Sequence, residues 1–485
     1  MGLKNKETLK TLMKQALQWA QGADYCDVRI VNLQYHYLSY LGGKLESDEI
    51  NHDQGIAVRC LVNGLWGFSC TPLLTSAAVK TCVADSLQMA KESARVKSKP
   101  HTLAPKEVFK DFWIYPEQIP YNDHRKKDVQ ELLQECSHRM QLVSTDIKQA
   151  RALFRYKKTH SCYMDSEGSE IEQIWMRTGA GLTALAVANG DMQTRTFRSR
   201  QAYNGGLEHI RPELYLQQAP RVAEEAIALT AAEEISPQKR DLIIGTNQLA
   251  LQIHESVGHP NELDRVLGWE ANFAGTSFNS LHNRKQLIYG SPIVNLVADN
   301  LLPGGTGTRA YDDEGVKAQR WDIVKAGVFQ DYYTSRDTAL HLGPEERSKG
   351  CCRADSWSSF PIIRIPNVSL QPQEGSLQEL VASTEEGLYL DNNRSWSIDQ
   401  RRDQFQFGVE LAREIKNGAL GKIYKNLVYR GHTLPFWQSC DRITGPEEYE
   451  VFGEIYCGKG QPMQTMEMSH GCAPARFRQI EVRSS

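Results

Sequence analysis

Residues 254–259 read His-Glu-Ser-Val-Gly-His, two imidazoles flanking a carboxylate in an H-E-x-x-x-H pattern. Imidazole nitrogens suit zinc, and a carboxylate beside two of them can serve as general base toward water, the division of labour found in H-E-x-x-H metallopeptidases. Histidines four apart share one face of an α-helix. His254 and His259 are five apart and, at about 100° per residue, would point roughly 140° away from each other on a regular helix. Gly258 offers a remedy, because a glycine just before the second histidine can open the last turn, end the helix, or accommodate a π-bulge. Pro260 disfavours helical geometry at His259 and supports an end there. Random placement of the 13 histidines and 59 acidic residues among 485 positions gives about 0.04 such patterns. The motif is therefore moderately specific, set against two surface histidines beside a helix end.

A catalytic zinc takes three protein ligands and keeps one position open, so a third donor is required. Cys457, in Gly-Glu-Ile-Tyr-Cys-Gly-Lys-Gly, ends an apolar segment before a glycine turn, where a thiol can be semi-exposed with Lys459 nearby to favour thiolate. A buried core cysteine is the competing reading. His470 and Cys472 in Ser-His-Gly-Cys, and Glu262 three residues after His259, are rival donors, and spacing does not choose among them.

The pair of histidines needs a helix that starts after the buried-strand text Asp-Leu-Ile-Ile-Gly. Thr246 or Asn247 is placed to cap it, and Leu249, Ile253 and Val257 form its apolar stripe. Upstream, Leu9, Leu12, Met13, Ala16, Leu17 and Ala20 mark a packing helix ended by Gly22. Residues 26–70 are β-type with an Asn63-Gly64 hairpin signal, and a helix follows over about 75–94. Prolines at 100, 105, 116 and 120 mark a linker near 96–122. The order then recurs: a helix through Val129, Leu132, Leu133, Cys136 and Met140, β-segments to about Phe197, and a helix beginning near Pro220. This reads as two α-plus-meander units in an N-terminal domain over 1–236, followed by a β-rich C-terminal domain over 237–485 that carries the metal helix. Strands segregated from helices, without βαβ alternation, give the class α+β.

Composition narrows the function. A formal charge of -3 provides no positive field for nucleic acid, so no direct nucleic-acid partner is expected. No stretch reaches the length of a membrane span, and the start has neither a secretory h-region nor, with Lys6, the myristoylation pattern. A cytoplasmic protein without a membrane partner is the expectation. Eleven cysteines without a C-x-x-C pair are expected to be reduced and mostly buried. Tyr-Asp-Asp-Glu-Gly at 311–315 reads as a solvated turn rather than a second metal site, Leu-Leu-Pro-Gly-Gly-Thr-Gly-Thr-Arg at 301–309 as a flexible loop, and Trp357, Phe360, Phe405 and Phe407 as core.

His-Glu-Ser-Val-Gly-His-Pro-Asn-Glu-Leu-Asp-Arg together with Cys-Gly-Lys-Gly-Gln-Pro resembles the TldD and PmbA (TldE) family, the "modulator of gyrase" group, in its catalytic TldD-like type. The similarity continues through the segments around 268–278, 311–333, 392–421 and 469–478, and more weakly through 23–30 and 55–71. The resemblance implies a two-domain α+β subunit and one zinc held by His254, His259 and Cys457, with Glu255 as catalytic carboxylate. It also implies peptidase activity on unfolded or modified peptides, and assembly as a homodimer or with a PmbA/TldE-like partner. Pro260 departs from the small residues common there. An amidase acting on a non-peptide substrate, or a non-catalytic peptide-binding subunit, are the alternatives.

Overall fold

The computed structural model describes residues 6–93, 95 and 100–484. The first half is built on one eight-stranded sheet. Its strands are β1 (Tyr25–Leu41), β2 (Lys44–Val62), β3 (Leu65–Thr71), β4 (Lys110–Ile114), β5 (Ile147–Asp165), β6 (Glu170–Ala188), β7 (Asp191–Phe197) and β8 (Tyr203–Asn204). Helices α1 (Lys6–Trp19), α2 (Ser76–Ser93), α3 (Asp123–Leu142) and α4 (Pro212–Thr230) complete it. The two expected helix-plus-meander units are fused into this single sheet, since β1 and β5 pair antiparallel from Asp27 against Asp165 to Leu41 against Arg151. The Asn63-Gly64 turn has both residues at positive φ, 51° and 76°, as a tight hairpin of twisted strands requires.

Alternation along the long strands decides the layering. Val28, Ile30 and Leu38 of β1, with Ala152, Phe154 and Tyr156 of β5, turn to the helical side, where α1 and α2 cover one half and α3 and α4 the other. The opposite side carries Asp27, Arg29, Arg59, Gln173 and Arg177, all buried, because the second half of the chain packs over it. Arg29 reaches the carbonyls of Ser356 and Ser359, Gln173 donates to the Tyr311 carbonyl, and Arg177 to that of Thr306.

That second half has a seven-stranded mixed sheet that opens with β9 (Gln238–Ile244), whose Leu242, Ile243 and Ile244 are fully buried. β9 runs parallel to the strand Glu386–Ile398 and antiparallel to Ala475–Ser484. The strands Glu450–Lys459 and Gln464–Cys472 form a separate antiparallel ribbon, and α5 (Thr246–Ile253) crosses between ribbon and sheet. With helices in one layer and mainly antiparallel sheets elsewhere, the architecture is α+β.

Several expectations change. The fourth helix starts at Pro212, not near Pro220: Pro212 sits in the first turn, where its missing N–H costs nothing, while Pro220 is tolerated inside because Tyr215, Ala219, Val222, Ala223 and Ala226 bury one face. The linker contains β4, which pairs parallel with β6; residues 96–99 of it lie outside the described ones, as does Ala94, the expected last residue of the helix over about 75–94. Asp312, Asp313 and Glu314 are not solvated. They are buried against the first sheet, where Arg29 stands 2.9 Å from Asp313 and Arg59 3.8 Å from Glu314. The segment 301–309 is a loop but not a free one, since the Asn367 side chain lies so close that a Cβ on Gly305 or Gly307 would approach it to 2.9 or 2.7 Å. Phe405 and Phe407 are core, whereas Trp357 and Phe360 are partly exposed and pack on the first sheet, Trp357 over Gly55 and Phe360 against Trp66 and Phe68.

Candidate metal centre

The helix after β9 is capped by neither Thr246 nor Asn247. Gly245 is its N-cap and makes no side-chain cap bond, while the Thr246 hydroxyl donates to Glu450 at 3.0 Å. Leu249, Ile253 and Val257 are buried as the stripe requires. Gln248, Gln252 and Ser256 add a polar line fixed by Tyr429, whose hydroxyl accepts from Gln248 Nε2 at 2.9 Å and donates to Gln252 Oε1 at 3.0 Å.

At His254 the α-helix widens into a π-turn over His254–Gly258, closed by the His259 N–H donating to the His254 carbonyl. Lengthening the repeat from four to five residues returns His259 to the face of His254, and the two rings stand edge to face with centroids 4.8 Å apart. Gly258 does not act through left-handed backbone, since its φ is -62°. It acts through space: a Cβ there would come within 2.8 Å of Ile365 Cδ1 and 3.2 Å of Ile365 Cγ2. Pro260 falls in a 3-10 turn over His259–Asn261, where no regular helix bond is lost. Two carbonyls released at the helix end are taken up by side chains, Ser256 O by the Tyr289 hydroxyl and Val257 O by Asn261 Nδ2 at 2.8 Å and the Tyr333 hydroxyl at 3.3 Å.

His254, His259 and Cys457 each offer one donor atom, and these atoms lie within 4.8 Å of one another, all buried. Cys457 Sγ is 3.5 Å from His259 Nε2. Zinc bonds of about 2.0–2.1 Å to nitrogen and 2.3 Å to sulfur, at a tetrahedral angle, place N and S about 3.6 Å apart, so the donors fit such an ion. Of the rival donors, none joins this group. Glu262 Oε2 accepts from His259 Nδ1 at 2.9 Å, which turns Nε2 toward Cys457. His470 Nε2 lies 2.8 Å from His254 Nδ1, and Cys472 Sγ points at the Thr246 carbonyl, 3.2 Å away.

The tautomers follow from this wiring. His470 Nδ1 faces the Val368 carbonyl at 3.1 Å and must donate to it, so its Nε2 is an acceptor and His254 Nδ1 is the donor between the rings. The lone pair of His254 is thereby left on Nε2. Burial and the neighbouring His254 hold the His470 imidazole well below the usual range, which keeps it neutral for this task. Burial works against thiolate at Cys457, but His259, His254 and Arg364 outweigh it and hold the thiol well below its ordinary range. Lys459 does not serve the thiol, contrary to the sequence reading. Its ammonium is buried 2.8 Å from both oxygens of Asp264 and 3.1 Å from Glu262, so it ties the strand of Cys457 to the segment after His259. Burial raises Asp264 to about 6 despite Lys459, while Lys459 and His259 overcome burial and hold Glu262 well down.

Glu255 is buried beside this group but is not one of its donors, and Arg402 Nη1 donates to Glu255 Oε2 at 2.5 Å. Arg402 sits in the turn between Glu386–Ile398 and Gln404–Lys416 at a positive φ of 64°, anchored by the Thr433 hydroxyl on its carbonyl at 2.8 Å. Sequence reasoning missed Arg402, since an arginine in a polar turn carries no spacing signal. It weighed His470 only as a ligand. A cleft of about 210 Å³ opens onto His254 and His470 between α5, Asn392–Arg394 and Phe452–Glu454. Replacing His470 with Gln should weaken metal affinity about 10–100-fold, the usual worth of such an orienting partner, in competition with a chromophoric chelator; unchanged affinity would show that His470 does not orient His254.

No helix among the described residues is long and apolar enough to cross a membrane. Residues 237–482 match the model of the PmbA/TldA metallopeptidase C-terminal domain, and residues 26–90 that of PmbA/TldA metallopeptidase domain 1. A metalloprotease of Methanocaldococcus jannaschii is 28% identical over 93% of this chain and 95% of its own length. A zinc metalloprotease TldD homolog of Saccharolobus solfataricus is 23% identical over 89% and 90%. The crystal structure of TldE from Thermococcus kodakarensis superposes with a TM-score of 0.71 at 13% identity, covering 98% of this chain and all of that one, a likeness of fold. With half of its length matched by the C-terminal family model, the chain belongs to the TldD/PmbA family of metallopeptidases.

Proposed function

We propose that this protein is a zinc-dependent peptidase acting on unfolded or modified peptides. The observation that carries the reading is the buried His254–His259–Cys457 donor set with the Glu255 carboxylate beside it. His254, His259 and Cys457 would hold the zinc ion, which would supply Lewis acidity toward water and a carbonyl. Glu255 takes the proton of the attacking water and returns it to the leaving amine. Arg402 holds that carboxylate in place through its ion pair. The cleft beside His254 is lined by amides, among them Asn247, Asn392 and Asn393, and by the strand edge at Phe452–Glu454, groups that suit an extended peptide backbone more than any one side chain. The metalloprotease names of the relatives support the reaction class; the proposal includes a cytoplasmic location and pairing with itself or with a PmbA/TldE-like subunit, in keeping with membership of the family.

The test is a quenched fluorescent peptide without structure. Protein stripped by a chelator should be inactive, and activity should return as about one zinc per chain is restored. Protein that binds zinc and turns over no unstructured peptide, alone or with such a subunit, would refute the reading. Changing Arg402 to Ala should leave zinc content unchanged and lower turnover by up to about 100-fold, because Glu255 loses its orientation. Partial recovery in the Lys variant separates positioning from collapse of the turn.

A further inference from the structure

Between the polar side of the first sheet and the loops of the second half lies a small cavity walled by charge. Four cations line it, Arg29, Lys157, Arg177 and Arg309, against three carboxylates, Asp313, Asp355 and Glu467. The carboxylates are already engaged. Asp313 is 2.9 Å from Arg29 and 3.7 Å from Arg309, Glu467 is 2.8 Å from Arg177 and 2.7 Å from Lys157, and Asp355 accepts from Ser359 and from the Thr465 N–H. Behind them Arg353, 2% exposed, donates to the carbonyls of Gly307, Glu467 and Ile365. The wall thus holds more buried positive than negative charge. Isolated buried charge is costly, and proteins rarely leave it uncompensated. Burial and the neighbouring Arg177 hold Arg309 down to about 10 against the pull of Asp313, and burial with Arg309 and Arg364 holds Arg353 down to about 9.

Four buried polar atoms on this wall have no hydrogen-bond partner among the described residues: Thr159 Oγ1, Trp175 Nε1, Arg177 Nη2 and Arg309 Nε. Three are obligatory donors and the hydroxyl can donate, so the unmet need is for an acceptor. The Arg309 guanidinium lies over the Trp175 ring, 4.4 Å from its centroid, which holds the two lining side chains together. A volume of about 10 Å³ has room for one water-sized species and none for phosphate or a peptide carboxylate with its chain. A wider cavity of about 250 Å³ shares Lys157, Arg177 and Glu467 with it.

We propose that this cavity binds a single chloride-sized inorganic anion, held by Arg177, Arg309, Trp175 and Thr159. A water molecule there could meet some of these donors but would leave the charge excess standing. The anion would bond the first sheet to the strand of Glu467, whose neighbour Met466 pairs with Cys457.

Crystals grown or soaked in bromide test this directly, with an anomalous peak expected in the cavity next to Arg309 and Trp175. In solution, melting at constant ionic strength should shift upward and saturate as sodium gluconate is exchanged for sodium chloride, since a ligand that binds only the folded state stabilises it by mass action. Arg309→Met should abolish both the peak and the chloride response. Trp175→Phe removes one neutral donor and should weaken both, which keeps the test intact if the arginine variant does not fold. No anomalous peak in the cavity, equal melting in the two salts, or an undiminished chloride response in the variants would each overturn the assignment.

Discussion

Glu255→Gln is expected to keep its metal and lose its turnover. The substitution preserves shape, and the amide oxygen can still accept from Arg402 Nη1, so the π-turn and its neighbours need not move. The lost group is the base, and a positioned general base is worth roughly two to four orders of magnitude in rate. Zinc content should stay near that of the parent protein because the Glu255 carboxylate is outside the donor group formed by His254, His259 and Cys457. His254→Ala is the contrasting variant and should lose metal and activity together. Near-normal turnover of the Gln variant would remove Glu255 from the mechanism. Loss of zinc as complete as in the His variant would make it a ligand or a structural support.

How far the sequence carried the reading depends on the range over which each feature is determined. A departure from the regular helix before His259 was legible because its cause is local, a five-residue spacing with a glycine and a following proline, and the π-turn is one of the three forms this allowed. Even there the reason for Gly258 lay elsewhere, since Ile365, more than a hundred residues away, sets the space it fills. Element order was legible in the first half, where periodicity and the Asn63-Gly64 turn are local signals. Fusion of the two units into one sheet was not, because the pairing of β1 with β5 is decided by residues more than a hundred positions apart. Asp312, Asp313 and Glu314 show the commonest failure. A run of acids reads as solvated unless the arginines that meet it are known, and Arg29 and Arg59 come from strands more than two hundred and fifty residues upstream. The same holds for Arg402, which only the folded chain places against Glu255.

Cys457→Ser is expected to remove most of the metal and, with it, the activity, whereas Cys472→Ser should retain both. The two thiols are close in sequence, are both buried and lie on adjacent strands of one ribbon, yet their surroundings differ in kind. Cys457 faces the His259 and His254 rings, and with Arg364 nearby they hold its thiol well below the ordinary range, so a thiolate is ready as a metal donor. Burial pushes the Cys472 thiol well up, with Glu450 adding to it, and its Sγ donates to the Thr246 carbonyl, the behaviour of an inert structural thiol. Serine at 457 replaces a soft anionic donor with a hydroxyl that ionises far less readily and sits on a shorter bond, so two imidazoles remain where three protein ligands are needed. Metal content per chain after dialysis, read beside the melting temperature of each variant, separates loss of a ligand from loss of the fold. Cobalt substitution adds a spectroscopic check, since the thiolate-to-metal charge-transfer band should be present in the parent protein and in Cys472→Ser and absent from Cys457→Ser. Should the Cys472 change strip the metal while the Cys457 change leaves it, the third ligand has been assigned to the wrong strand, and the orientation argument built on His470 and Glu262 falls with it.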